Sequence, residues 1–136
     1  MSNKKTLIGL TIAVIIVILA FMVFPMVIPH LCTFVVAKKA VAKADITIIS
    51  QALEMYKTDN RCFPTTEQGI KALVEKPLPP PSNWGGPYLK KEPVDSWQKP
   101  YKYRCPSQNG QPDFDLWSLG PDGKDGTEDD ITNWKK

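Results

Sequence analysis

The fold is decided by the apolar run Leu7–Ile28, LIGLTIAVIIVILAFMVFPMVI, and by the helical pattern that continues beyond it. Only Gly9, Thr11 and Pro25 interrupt the run. At about 1.5 Å per residue, a helix of this length crosses a hydrocarbon layer of about 30 Å. A cleavable signal peptide has a shorter apolar core that ends in a small-residue cleavage site, and this segment shows no such site. The run therefore predicts a retained transmembrane anchor over residues 1–30.

The segment that follows the anchor keeps the spacing of an amphipathic helix. Apolar residues recur mostly three and four positions apart, with charged and polar residues between them. The predicted apolar stripe consists of Val41, Ala44, Ile48, Ala52, Met55 and Tyr56. We expect one helix from near Leu7 to about Thr58, whose second half is the spine of a folded domain over residues 31–136.

Shorter elements are predicted around this spine. Thr65 and Gln68 have the spacing of a capping box and open a short helix over about 65–74. Four prolines between positions 77 and 81 exclude a helix and predict an extended loop over 77–87. A small sheet and an acidic loop are expected over residues 100–136. Its strands are predicted at Tyr101–Cys105, Phe114–Ser118 and Ile131–Trp134, which makes the fold class α+β.

Composition argues against an enzyme and against a nucleic-acid-binding protein. His30 is the only histidine and lies at the membrane end, so the outer domain has no Ser-His-Asp or Cys-His arrangement. The net charge of +3 comes partly from lysines that flank the apolar run, which is ordinary for a membrane anchor. Aromatic and basic residues are not interleaved as a nucleic-acid groove requires.

The cysteines suggest an oxidising compartment. Of the three cysteines, Cys62 and Cys105 are the candidate disulfide pair, and Cys32 lies at the membrane edge. Closing a loop of this length would stabilise the domain by about 4 kcal/mol in the chain-entropy model. The alternative is a pair of buried free thiols.

An acidic loop, SLGPDGKDGTEDD, occupies Ser118–Asp130 and holds five carboxylates and three glycines. Acids this dense repel one another unless a hard cation lies among them. An EF-hand is excluded, because counting from Asp122 places Lys124 third and Asn133 twelfth. If the glycines fold the segment back, Asp122, Asp129 and Asp130 converge on a calcium ion. A solvated acidic turn is the alternative, and the residue types alone leave both open.

Several stretches of the outer domain together resemble one family. They are ALEMYKTDN at 52–60, FPTTEQG at 63–69, PYLKK at 87–91, PVDSW at 93–97, SLGPDG at 118–123 and TEDDI at 127–131. In this order they resemble the major pseudopilins of type II secretion systems, within the type IV pilin-like superfamily. The resemblance covers about Ala44 to Trp134.

This resemblance implies a long N-terminal helix packed on a small antiparallel sheet, with a calcium ion in the C-terminal loop. The side-chain ligands would be Asp122, Asp129 and Asp130, and the carbonyl ligands would lie near Leu119 and Lys124. The implied function is structural. The chain would be a single-pass inner-membrane protein with its domain in the periplasm, forming a filament that helps to export folded proteins. Implied partners are further copies of the chain, minor pseudopilins, the inner-membrane assembly platform and the lipid bilayer.

The N-terminus departs from the family pattern. Lys5 stands at the usual start of the mature chain, Gly9 stands where the family has a glutamate, and no glycine precedes Lys5. Two alternative functions stay open, one because it shares the implied fold and one because it explains the unusual N-terminus. They are a minor type IV pilin and an uncleaved, membrane-tethered, calcium-dependent binding module.

Overall fold

The computed structural model describes residues 2–110 and 113–134, although the side chains of residues 2–13 and 20–32 are left undescribed. Helix α1 spans Ser2–Asn60, and a 3-10 helix spans Ile70–Leu73. Three short strands follow: β1 is Lys102–Arg104, β2 is Asp115–Ser118 and β3 is Ile131–Thr132. The single helix predicted to about Thr58 thus corresponds to α1, and the three strands lie inside their predicted ranges.

The buried face of α1 agrees with the predicted stripe only at Ala52 and Tyr56. The residues that reach the core are Ala42, Ile46, Ile49, Ala52, Leu53 and Tyr56, all of them 4% exposed or less. Val41, Ile48 and Met55 are instead 53–58% exposed, and Ala44 is exposed as well. Between residues 41 and 56, α1 carries apolar residues on two faces, and the residues of each face recur at helical spacing. The sequence pattern alone could not tell the buried face from the exposed one.

The sheet packs on the buried face of α1. Its strand order is β1-β2-β3, and both neighbouring pairs are antiparallel. Tyr103 and Leu116 are partners across β1 and β2, and both belong to the core together with Phe114. The side chain of Asn133 adds two hydrogen bonds beside β2. Its Oδ1 accepts from Leu116 N, and its Nδ2 donates to the carbonyl of Phe114.

The short helix predicted over 65–74 is in fact a capped turn followed by the 3-10 helix. The capping box itself is present: Gln68 N donates to Thr65 Oγ1 at 3.3 Å, and Thr65 N donates to Gln68 Oε1 at 3.0 Å. Gly69 then adopts a φ of 60° and a ψ of −166°, which no α-helix accommodates. The box therefore caps a single turn, and a new helical turn starts after Gly69.

The chain divides into two compact units, Met1–Val36 and Ala37–Lys136. All of the core residues named above belong to the second unit. Across the residues described by the structure, no helix is both long and apolar enough to cross a membrane. Most of the apolar run that predicts the anchor lies outside the described side chains, and the anchor over residues 1–30 stays a prediction.

Candidate functional site in the C-terminal acidic loop

The acidic loop starts from a buried polar contact. Ser118, at the end of β2, donates from its hydroxyl to Asp95 Oδ2 at 2.6 Å, and both side chains are almost completely buried. Asp95 Oδ1 accepts hydrogen bonds from the backbone N–H groups of Trp97 and Lys99, both at 2.9 Å. The Ser118 oxygen accepts a bond from Gly120 N at 3.1 Å. The entrance of the loop is therefore fixed to the turn that contains Asp95.

Gly120 allows the two ends of the loop to meet. Its φ is +62°, a conformation that strains residues with a side chain, and a Cβ built on it would overlap the carbonyl of Asp129. Asp129 in turn forms a salt bridge with Lys39 of α1, with 3.2 Å between Lys39 Nζ and Asp129 Oδ1. The loop is thus folded back on itself and linked to the helix.

The three predicted ligand carboxylates have separate partners in this arrangement. Asp122 Oδ1 accepts from Lys124 N at 3.0 Å, and this bond lowers the pKa of the Asp122 carboxyl. Asp130 Oδ2 accepts from Gly126 N at 2.8 Å. Asp130 Oδ1 is buried and has no hydrogen-bond partner. A carboxylate oxygen of this kind can bind a calcium ion.

The loop offers calcium a suitable donor set, although its carboxylates do not form a ready-made cluster. In the described part of the chain, no three histidine, cysteine or acidic side chains lie close enough to hold a metal together. The unpartnered oxygen of Asp130, the exposed carboxylate of Asp122 and nearby backbone carbonyls are the oxygen ligands that calcium prefers. The carbonyl of Lys124 faces the same loop and accepts from Thr127 Oγ1 at 3.5 Å.

The other acids of the loop have different surroundings. Asp125 Oδ1 accepts from the indole N–H of Trp117 at 2.9 Å, so this carboxylate fixes a core tryptophan. Glu128 is exposed. Both residues lie outside the predicted ligand set of Asp122, Asp129 and Asp130, which stays a prediction.

A second buried carboxylate lies on the sheet. Asp115 is fully buried and accepts bonds from Ser107 Oγ at 2.6 Å, Gln108 N at 3.0 Å and Arg104 Nε at 3.0 Å. Burial raises the pKa of the Asp115 carboxyl, but these hydrogen bonds outweigh it and bring the pKa down to about 2. Asp115 therefore holds the β1–β2 hairpin as a charged, fully bonded group, and sequence reasoning gave it no such role.

The two candidate cysteines are free thiols in the structure, and their disulfide stays a prediction. Cys62 is exposed and its Sγ lies 3.6 Å from the carbonyl of Asn60. Cys105 is half-buried and its Sγ lies 3.9 Å from the carbonyl of Asp113. The alternative of two buried thiols does not describe them either, since Cys62 faces solvent.

The architecture of a helical spine on a small antiparallel sheet is that of a pseudopilin. A solved structure of this class, the major pseudopilin from the type 2 secretion system of enterohaemorrhagic Escherichia coli, superimposes with a TM-score of 0.65. It is 42% identical to this chain, and the match covers 72% of this chain and 87% of the other.

Residues 33–134 match the family described as type II secretion system (T2SS), protein G. The type II secretion system core protein G of Pseudomonas aeruginosa is 49% identical over 136 aligned positions, covering 95% of this chain and 92% of its own length. The corresponding protein of Escherichia coli strain K12 is 48% identical over 101 positions, covering 72% of this chain and 68% of its own length. The chain belongs to the type II secretion system protein G family.

Membership of this family confirms the resemblance noted in the sequence, the fold class and the structural role of a major pseudopilin. The family is structural and not enzymatic, as the single histidine predicts. The chain is therefore a subunit of a type II secretion system and is associated with the cell envelope.

Two contacts of the loop were missed by sequence reasoning. The Asp95–Ser118 hydrogen bond and the Lys39–Asp129 salt bridge join residues far apart in the chain. The PVDSW stretch contains Asp95. An aspartate in a turn commonly accepts a hydrogen bond from the backbone N–H two residues later, which here is that of Trp97. That local pattern identifies the turn but not its partner Ser118.

Proposed function

We propose that this chain polymerises through α1 into a periplasmic filament, anchored before assembly in the inner membrane by residues 1–30. The observation that carries this proposal is the apolar surface of α1. Val14–Leu19 is a run of six apolar residues, each 53–60% exposed in the isolated chain. Such a surface is stable only in lipid or against other apolar helices.

A second apolar surface supports the same interpretation. Val41, Ile48 and Met55 lie seven residues apart on one exposed face of α1, which is the spacing of a helix–helix contact. Ile48 also lines a groove of about 290 Å³ beside Leu89 and Val94, and Val94 is 45% exposed. A second copy of the chain is the occupant that continues the packing of the apolar N-terminal helices. We therefore place a subunit contact on this face.

Assembly of a charged variant tests this contact. Ile48→Lys puts a cation on the apolar face without disturbing the core, since Ile48 is exposed in the monomer. We expect filament yield, measured by shearing and sedimentation from cells that overproduce the chain, to fall at least about tenfold, because an unpaired charge at a packed contact costs a few kcal/mol.

Thr47→Lys is the matched control, because Thr47 is an exposed neighbour on a different face of the helix. Its filament yield should stay near that of the unchanged chain. Normal assembly of Ile48→Lys, with both variants equally folded, would remove this face from the filament contact.

In the same proposal, calcium binds the C-terminal loop and holds it closed. Asp122, Asp129 and Asp130 would supply side-chain oxygens, and carbonyls near Leu119 and Lys124 would complete the shell. Calcium supplies concentrated positive charge among acids that otherwise repel one another. Three features support the site: the density of carboxylates, the unpartnered buried oxygen of Asp130, and the close approach of Gly120 to Asp129.

Thermal unfolding of the full-length chain in detergent tests the metal. We expect millimolar calcium to raise the midpoint, excess chelator to lower it, and magnesium to have a much smaller effect, because magnesium demands a rigid octahedral shell. Asp130→Asn should abolish the calcium-dependent shift, whereas Glu128→Gln should keep it, since Glu128 is exposed and outside the proposed ligand set. A calcium shift that persists in Asp130→Asn would place the ion elsewhere.

The remaining partners follow from the role of the subunit. A filament that grows from the inner membrane needs an assembly platform at its base, and we propose that minor pseudopilins join it at an end. Nothing in this role requires nucleic acid, and the lysines around the anchor are accounted for by the lipid surface.

A further inference from the structure

We propose that Cys62 and Cys105 form a disulfide that fastens the turn after α1 to the end of strand β1. Both residues are free thiols in the structure. The proposed pairing does not depend on filament formation. Only the source of the oxidant rests on the proposed periplasmic location.

The turn and the end of the strand are already joined by three hydrogen bonds. Thr66 Oγ1 donates to the carbonyl of Cys105 at 3.0 Å and accepts from its backbone N–H at 3.0 Å. Tyr103 Oη donates to the carbonyl of Pro64 at 2.8 Å, and this bond is buried. Residues 64 and 66 of the turn are therefore held against Tyr103 of β1 and against Cys105, which follows the strand.

Further contacts hold the segment that follows Cys62 on the core. The Tyr103 hydroxyl is bonded to the turn at Pro64, and its pKa is raised by burial and by the negative charges that Cys105 and Cys62 carry when ionised. Phe63 packs edge-on against Phe114, with 4.9 Å between the ring centroids, so the residue after Cys62 is fixed on the sheet. These contacts hold the segment that follows Cys62 beside Cys105.

The end of α1 fixes the position of Cys62 from the other side. Asn60 Nδ2 donates to the carbonyl of Tyr56 at 2.9 Å, and Arg61 N donates to the carbonyl of Lys57 at 2.7 Å. Tyr88 Oη donates to Asp59 Oδ2 at 2.8 Å. A cysteine two residues after this anchored helix end therefore has a restricted backbone position.

The accessible thiol determines the order of the chemistry. Cys62 is exposed, so its thiolate attacks the disulfide of an oxidant, which we take to be a protein disulfide of the thioredoxin-like class. One sulfur of that oxidant leaves as a thiolate, and a mixed disulfide forms. The Cys105 thiolate then attacks the Cys62 sulfur and displaces the second sulfur. Two thiols of this chain are oxidised to one disulfide, the oxidant disulfide is reduced to a dithiol, and the two protons pass from this chain to that dithiol.

Equilibration in a glutathione buffer tests the pair. The full-length chain carrying Cys32→Ser, purified in detergent, has only these two thiols, so every intramolecular disulfide must join them. After oxidation we expect both to resist alkylation and a peptide linked through Cys62 and Cys105 to appear in the mass spectrum. The oxidised chain should unfold more than about 10 °C above the reduced chain, because the bond closes a long loop of the unfolded state.

Matched single variants separate the bond from other effects of oxidation. Cys62→Ser and Cys105→Ser, each in the Cys32→Ser background, should show equal midpoints in oxidising and reducing buffer. The proposal is overturned if both thiols stay free for alkylation in the oxidising buffer, or if the chain forms only disulfide-linked dimers. It is also overturned if the linked chain melts at the same temperature as the reduced chain. None of these results bears on whether the subunit polymerises.

Discussion

At the scale of single residues, Asp115 contributes a buried and fully bonded charge to the folded domain. Its carboxylate is fully buried and satisfied by Arg104, Ser107 and Gln108, and its pKa is held near 2. A lowered pKa means that the folded state favours the charged form. The associated stability is therefore complete above the ordinary value of 3.8 and is lost as the pH falls through the folded pKa of about 2.

Asp115→Asn tests this contribution. We expect the variant to lose about 2 kcal/mol of unfolding free energy at pH 7, because the charge that its donors stabilise is gone. The difference from the unchanged chain should shrink when urea unfolding is repeated at pH values falling from 4 towards 2. Asp113→Asn is the control, since its salt bridge to Lys57 is mostly exposed and contributes little. A difference that stays constant with pH would mean that packing, not charge, is lost.

At the scale of elements, Gly120 closes the acidic loop. Gly120→Ala adds a methyl group where the Asp129 carbonyl lies and strains a φ of +62°, so we expect a loss of more than about 2 kcal/mol. Gly126→Ala is matched to it in the same loop, because its φ is +80° and a Cβ there meets nothing within 4 Å. That control should lose only about 1 kcal/mol. Equal losses in urea unfolding would show that contact with Asp129 does not matter.

The two faces of α1 show that the sequence predicts the helix but not which of its faces is buried. Helical spacing correctly predicts one long helix, but the apolar residues at 41, 48 and 55 imitate a core face and shift the predicted stripe away from Ile46, Ile49 and Leu53. Turn chemistry is local, so the capping box of Thr65 and Gln68 is predicted correctly. The bond of Ser118 to Asp95 depends on tertiary packing, and no local pattern contains it.

Truncation of one residue on each face distinguishes them. Leu53→Ala should lose about 2–5 kcal/mol, because Leu53 is completely buried and its removal leaves a cavity. Met55→Ala should change the unfolding free energy by less than about 0.5 kcal/mol, because Met55 is 58% exposed in the isolated chain. Both are measured by urea unfolding under conditions that keep the chain monomeric. A large loss of unfolding free energy for Met55→Ala would mean that Met55 belongs to the core, as the predicted stripe has it.

At the scale of the whole molecule, the second unit contains a complete core. The buried cluster runs from Ile46 to Leu116, and the partly buried residues packed against it extend it to Ile131. Every member of this cluster lies within the unit Ala37–Lys136. The three strands and the acidic loop belong to the same unit, so the contacts that define the fold do not need the apolar run.

Residues 37–136 should therefore fold alone. We expect this fragment to unfold in one cooperative transition, with near-ultraviolet circular dichroism from its packed tyrosines and tryptophans, because small domains with one core behave as two-state systems. The Leu53→Ala substitution should lower the midpoint of the fragment as it does in the full chain. Without the run Val14–Leu19, the same fragment should stay monomeric at concentrations where the full chain assembles. A fragment that lacks a cooperative transition would show that the apolar helix is needed for the fold as well as for assembly.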